Sequence, residues 1–398
     1  MTGGVRAPHA VGSGSDKGFL AWAVTARGAI AIWLAYVLAN AVIRYSFSHT
    51  LSNDDVSESL LVQTFQLGYS MRNPPLWEWL LWTLQQMLGP GYESHWLLRY
   101  GCIALFGIAI FRVSRLASGD VRWAAVVTLS SPMFYQIGWP FFDWGTHTLV
   151  LFVVLLFSLE VVLRYITTPS AVLAILLGFL IGLGVLSKLG YAVFAVAVLA
   201  ALLLERDSRS ALINRCSLLI VPVAALVFAP YAYWLIATHA DLVQTAENAL
   251  VVDDTPHLQR SLFGLKKLLE NSAEFLLPFA IIAPIAVWQA RRAGLSVSAT
   301  AGSHELLLRR ILVVSILMTI VGVIALGPTN FSSGYVVPVL VAAIPYSACL
   351  LARHVPDASG AQRFAALSVS ILILITLLKL MFLSNSGFPQ FSYRREMW

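Results

Sequence analysis

Charge is scarce in this sequence: 12% of its 398 residues are Asp, Glu, Lys or Arg, against 58% hydrophobic. Such a chain cannot present an ordinary water-facing surface. Together with its strongly positive mean hydropathy, this excludes a soluble globular protein and places the chain in a bilayer. Cysteine is scarcer still. The three present, Cys102, Cys216 and Cys349, fall in apolar stretches where they act as small hydrophobes, so a disulfide framework is excluded and the redox compartment stays open. No His and Cys cluster has zinc-ligand spacing, which argues against a structural zinc, although carboxylates and His could still hold a divalent cation. There is no Walker loop and no Gly-rich dinucleotide fingerprint. The formal net charge is +6, but the arginines lie in short connections between apolar runs. They mark topology and form no polyanion-binding patch.

What the sequence has in abundance is long apolar runs. A helix needs about 20 apolar residues to cross the hydrocarbon. Candidate spans lie near 28–44, 97–113, 122–140, 144–165, 170–187, 189–204, 213–236, 271–290, 310–327, 335–353 and 363–383. The expected fold class is therefore an all-α polytopic membrane protein with about eleven transmembrane helices. Residues 1–27 are expected to be a cytoplasmic segment, 28–383 one membrane domain and 384–398 a tail on the opposite face. The first span carries no small-residue cleavage site and is expected to stay as an anchor. Placing the N-terminus in the cytoplasm puts Arg112, Arg115, Arg122, Arg164, Arg206, Arg209, Arg215, Arg291, Arg292, Arg309, Arg310, Arg353 and Arg363 at cytoplasmic ends, as the positive-inside bias requires. The other face receives two long loops, about 45–96 and 237–270, and long loops on one face are where function concentrates.

The first of these loops opens with Ser52-Asn53-Asp54-Asp55 and passes Glu58, Gln63, Gly68 and Tyr69. It then reaches Arg72-Asn73-Pro74-Pro75-Leu76-Trp77-Glu78-Trp79. Two prolines ahead of a Trp- and Leu-rich run suit the first turn of a helix. Trp77, Trp79 and Trp82 suit one lying in the membrane interface. Asp54 and Asp55 could be a helix cap and its solvated neighbour. In the sharper alternative, a carboxylate at the membrane boundary acts as general base on a hydroxyl while nearby cations hold a departing phosphate. Lys188, in a turn between two short apolar helices, either snorkels or faces a phosphate or Asp143, because a charge at that depth is costly without a partner. Asp143 could cap the fourth span or join a site. His147, one turn on, is expected to bond a neighbouring helix. In the second loop, apolar positions 258, 262, 265, 268 and 269 recur at helical spacing beside Asp253, Asp254, His257, Arg260, Lys266 and Lys267. That pattern fits a basic interfacial helix, with Arg260 able to clamp a phosphate instead. Glu160 and Arg164 read as an ordinary helix pair.

The order of these elements resembles the GT-C superfamily of membrane glycosyltransferases, in the branch of protein O-mannosyltransferases and the aminoarabinose transferase of lipid A. That branch has an acidic pair after the first span, then Gln, Gly-Tyr and a Pro-Pro-Leu element; Asp54, Asp55, Gln63, Gly68, Tyr69, Pro74, Pro75 and Leu76 stand at matching positions. The likeness continues through Ser131-Pro132 and Asp143, through Gly182-Leu183-Gly184-Val185-Leu186-Ser187-Lys188, and through Tyr335-Val336-Val337-Pro338 with Pro345. Asn73 stands where the family often carries Lys or His, which passes the phosphate contact to Arg72. Asp55 replaces Glu, and Ser333-Gly334 stands where relatives offer a basic residue.

The resemblance implies a GT-C-like fold and an inverting sugar transfer from a polyprenyl-phosphate donor to a cell-envelope glycolipid or polysaccharide such as lipopolysaccharide. It implies an active site on the periplasmic face of a bacterial inner membrane. Asp54 and Asp55 would be catalytic, and Arg72, Asp143, Lys188, Arg260 and Tyr335 would bind the donor phosphate or substrate. No nucleic acid partner is expected, and no cofactor beyond a divalent cation the carboxylates could hold. A transporter or lipid flippase, or an inactive scaffold of the same fold, remain the alternatives, although no internal repeat of the transporter kind is found.

Overall fold

The computed structural model describes residues 18–138, 140–143, 145–239, 241, 250–251, 255–292 and 301–384. All regular structure among them is helical. A short helix α1 (Phe19–Ala23) leads into α2 (Ala26–Phe47), followed by α3 (Asn53–Leu61) and α4 (Leu76–Leu88) in the first long loop. Next come α5 (Tyr92–Ser118), α6 (Val121–Ser130), the single turns α7 (Tyr135–Gly138) and α8 (Pro140–Asp143), and α9 (His147–Thr167). The hairpin α10 (Ala171–Ser187) and α11 (Tyr191–Leu203) precedes α12 (Arg206–Leu212) and α13 (Ile220–Ala237). The last third holds α14 (His257–Leu276), α15 (Phe279–Arg292), α16 (Ser303–Leu326), α17 (Val337–Leu340), α18 (Ala343–His354) and α19 (Ala358–Ser384).

Among the described residues, six stretches are long and apolar enough to cross a membrane: α2, α5, α9, residues 215–237, α16 and α19. A seventh arises if 333–340 and α18, bent by 49°, make one broken span. The chain is thus multi-pass. The other expected runs differ for physical reasons. The run 122–140 stops at Ser130, where Ser131-Pro132-Met133 forms a 3-10 turn, because Pro132 has no backbone N–H to continue an α-helical ladder. The run 271–290 is split at Leu277-Pro278: its first part is the end of α14, whose apolar and polar faces are strongly segregated, and only α15 is apolar throughout its first turns. The hairpin helices α10 and α11 are apolar but short.

Helices α5 and α9 form the centre, packed on each other, with α2, α4, α6, α16 and α18 around α5 and α10 against α9. Buried residues make up 83% of the crossing window of α9 but 11% of that through α13. The outward Val221, Leu226, Tyr233 and Ile236 of α13 therefore read as lipid-facing, since apolar exposure is favourable only toward hydrocarbon. Contact between α10 and α13 depends on small residues. A Cβ added at Gly178 would lie 2.5 Å from the Ile220 carbonyl oxygen, and one at Gly182 would lie 2.6 Å from Val227 Cβ. This is the small-xxx-small approach of membrane helices.

The arginines expected together do gather at one end. Arg112 donates to both Glu160 oxygens from Nε (2.9 Å) and a terminal nitrogen (2.8 Å), and Arg164 reaches the same carboxylate at 2.6 Å. Glu160 is therefore shared between two helices, more than an i,i+4 pair. Arg353 meets Glu305 at 3.1 Å, and Arg310 pairs with Glu205. The first long loop, the Lys188 turn and Tyr335 lie at the other end.

Candidate active site

Helix α3 starts where Ser52 and Asp55 form a capping box. Ser52 Oγ accepts from Asp55 N at 3.3 Å, and Asp55 Oδ2 accepts from Ser52 N at 3.1 Å. This fixes the helix start and with it the two acids, which diverge by about 100° around the axis because a turn takes 3.6 residues. Asp55 turns inward. Arg99 of α5 donates to its two oxygens at 2.7 and 2.8 Å, and His95 Nδ1 lies 3.4 Å away. Burial alone would raise the Asp55 carboxyl. The His95 ring, the Arg99 charge and Ser52 outweigh it and hold the group far below the usual carboxylate range. Asp54 turns outward and is exposed.

The loop after α3 is pinned to α13. Tyr231 Oη donates to the Ser70 carbonyl at 3.1 Å, and the Trp234 ring lies so close over Gly68 that a Cβ there would sit 2.4 Å from it. Tyr69 Oη donates to the Thr64 carbonyl at 3.0 Å and accepts from Gln66 N at 3.1 Å. The Gly-Tyr element is thus loop architecture. Helix α4 does more than lie on a surface, because Trp77, Glu78 and Leu81 are buried in the core, and its remaining exposed apolar residues include Leu80 and Met87.

Lys188 ends α10. Its ammonium donates to Thr148 Oγ1 at 3.2 Å and lies 5.7 Å from the centre of the Tyr335 ring. Its pKa is lowered, first by burial and then by the positive charge of Arg72, with Asp54 acting in the opposite direction. Lys188, in the α10–α11 turn, therefore feels both Asp54 of α3 and Arg72 of the following loop. Tyr335 packs on Phe331 and completes one wall. A Cβ on Gly334 would stand 3.6 Å from Lys188 Nζ and 3.7 Å from Thr148 Oγ1, an ordinary contact distance. Lys188 thus puts its cation where a basic side chain at 334 would point.

Other expected residues fall differently. Arg260, in the first turn of α14, packs by the Gly327 turn, where His257 Nε2 meets the Ala325 carbonyl at 3.1 Å, and it is not part of the Lys188, Thr148 and Tyr335 contact set. The Asp143 side chain, Asp253 and Asp254 lie outside the described residues. His147 bonds a neighbouring helix as expected, and its partners are acids of the first loop: its Nε2 is 3.2 Å from Glu58 Oε1 on α3 and 3.6 Å from Glu78 Oε1 on α4. Roles for Arg99, His95, Thr148 and these two glutamates were not visible from the sequence. The available signal was Arg99 inside an expected span, since an ionisable residue at membrane depth implies a partner. Lys379, buried in α19 with its ammonium 3.6 Å from the centre of the Phe142 ring, is a further cation of this kind.

An exposed carboxylate at Asp54 can take a proton, and the Arg72 and Lys188 cations can neutralise an anion. Residues 72–234 match the family model described as dolichyl-phosphate-mannose-protein mannosyltransferase. The chain is 24% identical over 347 residues to the lipopolysaccharide core galacturonosyltransferase RgtB of Rhizobium johnstonii, covering 86% of this chain and 69% of that protein. It is 26% identical over 205 residues to RgtA of the same organism, covering 50% and 40%. Its fold is similar to the crystal structure of ArnT from Cupriavidus metallidurans bound to undecaprenyl phosphate (TM-score 0.62, 16% identity, 93% of this chain and 73% of that one). It is also similar to the apo form of that protein (TM-score 0.54, 18% identity, 85% and 62%).

Proposed function

We propose that this chain is a membrane glycosyltransferase of the GT-C superfamily and that it moves a sugar from polyprenyl phosphate to a lipopolysaccharide-type glycolipid, at the loop-bearing end of the bundle. The observation that carries this is the buried Lys188 cation, held on Thr148 Oγ1 and beside the Tyr335 ring at the loop-bearing end, with the exposed Asp54 and Arg72 acting on it electrostatically. Asp54 takes the proton from the acceptor hydroxyl as its oxygen bonds to the anomeric carbon. The bond from that carbon to the phosphate oxygen breaks with inversion, and polyprenyl phosphate departs with the electron pair, stabilised by Lys188 and Arg72. Asp55 is a positioning residue, held by Arg99 so that Asp54 faces the site. Thr148 and Tyr335 position the Lys188 ammonium.

The paired arginines at the opposite end support a cytoplasmic placement for that end, hence an inner-membrane protein with a periplasmic site. The two galacturonosyltransferase relatives make a galacturonosyl donor the first to test. Full-length protein in nanodiscs is supplied with undecaprenyl-phosphate-linked galacturonic acid and lipopolysaccharide core acceptor, beside Asp54→Asn. Product from the wild type and none from the variant is the expected result. Equal product from both would remove Asp54 as the base.

A further inference from the structure

Glu58, Glu78 and His147 meet where α3, α4 and α9 touch. One ligand atom from each lies within 4.8 Å of the others. All three are buried, with Glu78 wholly so at 0% exposure. Their hydrogen-bonding is incomplete: Glu58 Oε2 and His147 Nδ1 are buried without a partner, and Glu78 has only its 3.6 Å approach to His147 Nε2 and the neighbouring Glu58 carboxyl. A lone proton on His147 Nε2 can satisfy only one of the two carboxylates facing it, leaving a second negative charge in a dry place at a cost of several kcal/mol.

We propose that these three side chains form a site for a first-row divalent cation such as Zn²⁺ or Mn²⁺. The geometry supplies the reason. Ligand bonds of about 2.1 Å at tetrahedral angles put neighbouring ligand atoms about 3.4 Å apart, and Nε2 of His147 stands 3.2 and 3.6 Å from the two carboxylate oxygens. With the proton on Nδ1, Nε2 turns its lone pair toward the acids. Two carboxylates and a neutral imidazole balance a double positive charge, and the O,O,N donor set suits Zn²⁺ and Mn²⁺ better than Mg²⁺, which keeps most of its water. Three protein ligands leave a fourth position open, as in catalytic rather than closed structural zinc sites.

The site ties together the elements that frame the candidate active centre. Glu58 stands one turn beyond Asp54 on α3, Glu78 follows the Arg72 loop, and Thr148, partner of Lys188, is next to His147 in the chain. The cation would hold the first long loop against α9.

The test uses full-length protein in nanodiscs without sugar donor, so its outcome is independent of the glycosyl-transfer reading. Protein stripped with EDTA, equilibrated with Zn²⁺ or Mn²⁺ and desalted is expected to retain one metal per chain. Its melting temperature should fall on stripping and recover on reloading. Glu78→Gln, which keeps the shape of the neutral acid, should lose at least about tenfold in metal retention and become insensitive to EDTA. Should that variant not fold, Co²⁺ loading of the wild type decides: intense visible bands of a low-coordinate ion support the site, and their absence overturns it. Wild type holding no more metal than Glu78→Gln, with a melting temperature indifferent to EDTA, would show instead that the acids share a proton.

Discussion

The two ends of the bundle treat charge in opposite ways. At one end Glu160 serves both Arg112 and Arg164, Arg353 meets Glu305 and Arg310 meets Glu205. At the other, Asp54 and Arg72 are exposed, Lys188 leans on a hydroxyl and an aromatic ring, and the buried Glu78 has only a long approach to His147 and the neighbouring Glu58 acid. Paired charges at a membrane boundary hold helices in place and do little else. Charges left incompletely matched in a costly environment mark where something else completes them. The Asp55 and Arg99 pair is instructive because it is a paired structural device within the unmatched end.

Asp54→Asn is expected to lower glycosyl transfer at least about 100-fold with an unchanged melting temperature in nanodiscs. Asp55→Ala should do the reverse in kind: leaving Arg99 buried without its acid costs about 3–5 kcal/mol, read as a lowered melting temperature, with activity lost alongside fold. The sign of the pH effect follows. The Asp55 carboxyl titrates lower in the folded protein than in the unfolded chain, so its stabilisation is complete above the unfolded carboxylate pKa of about 4 and drains away as pH falls toward the folded value. Melting temperatures between pH 7 and 3 should fall more steeply for wild type than for Asp55→Asn.

Lys188→Met should weaken donor handling by about 10- to 100-fold, the worth of a charge-assisted hydrogen bond, seen in the KM for the polyprenyl-phosphate sugar. Adding Gly334→Lys, whose side chain starts 3.6 Å from the lost ammonium, should restore part of it. Arg164→Gln is expected to change least, under about 1 kcal/mol and with full activity, because Arg164 is half exposed and Glu160 keeps Arg112. A large loss there would erase the distinction between the two ends.

Much of this was legible in the chain. Apolar run length located seven of the eleven expected spans, and the paired arginines fall at helix ends as their spread suggested. Partners that meet through folding alone were not legible: Asp55 is 44 residues from Arg99 and Glu58 is 89 from His147, and no period in hydropathy encodes which way a glutamate turns. Nor does average hydropathy foresee a break such as Ser131-Pro132, where one missing backbone donor counts for more than the apolar side chains around it.

The capping box at Ser52 carries one more consequence. It converts two neighbouring, chemically near-identical acids into groups with separate duties by indexing them against a helix that advances by a fixed angle per residue. The loop from Ser48 to Leu51 can absorb a residue gained or lost, since it lies ahead of that index point. A single insertion between Ser52 and Asp54 cannot be absorbed: it would rotate the working carboxylate off its bearing while leaving the composition of the motif intact. Spacing here decides which acid faces outward as firmly as residue type does.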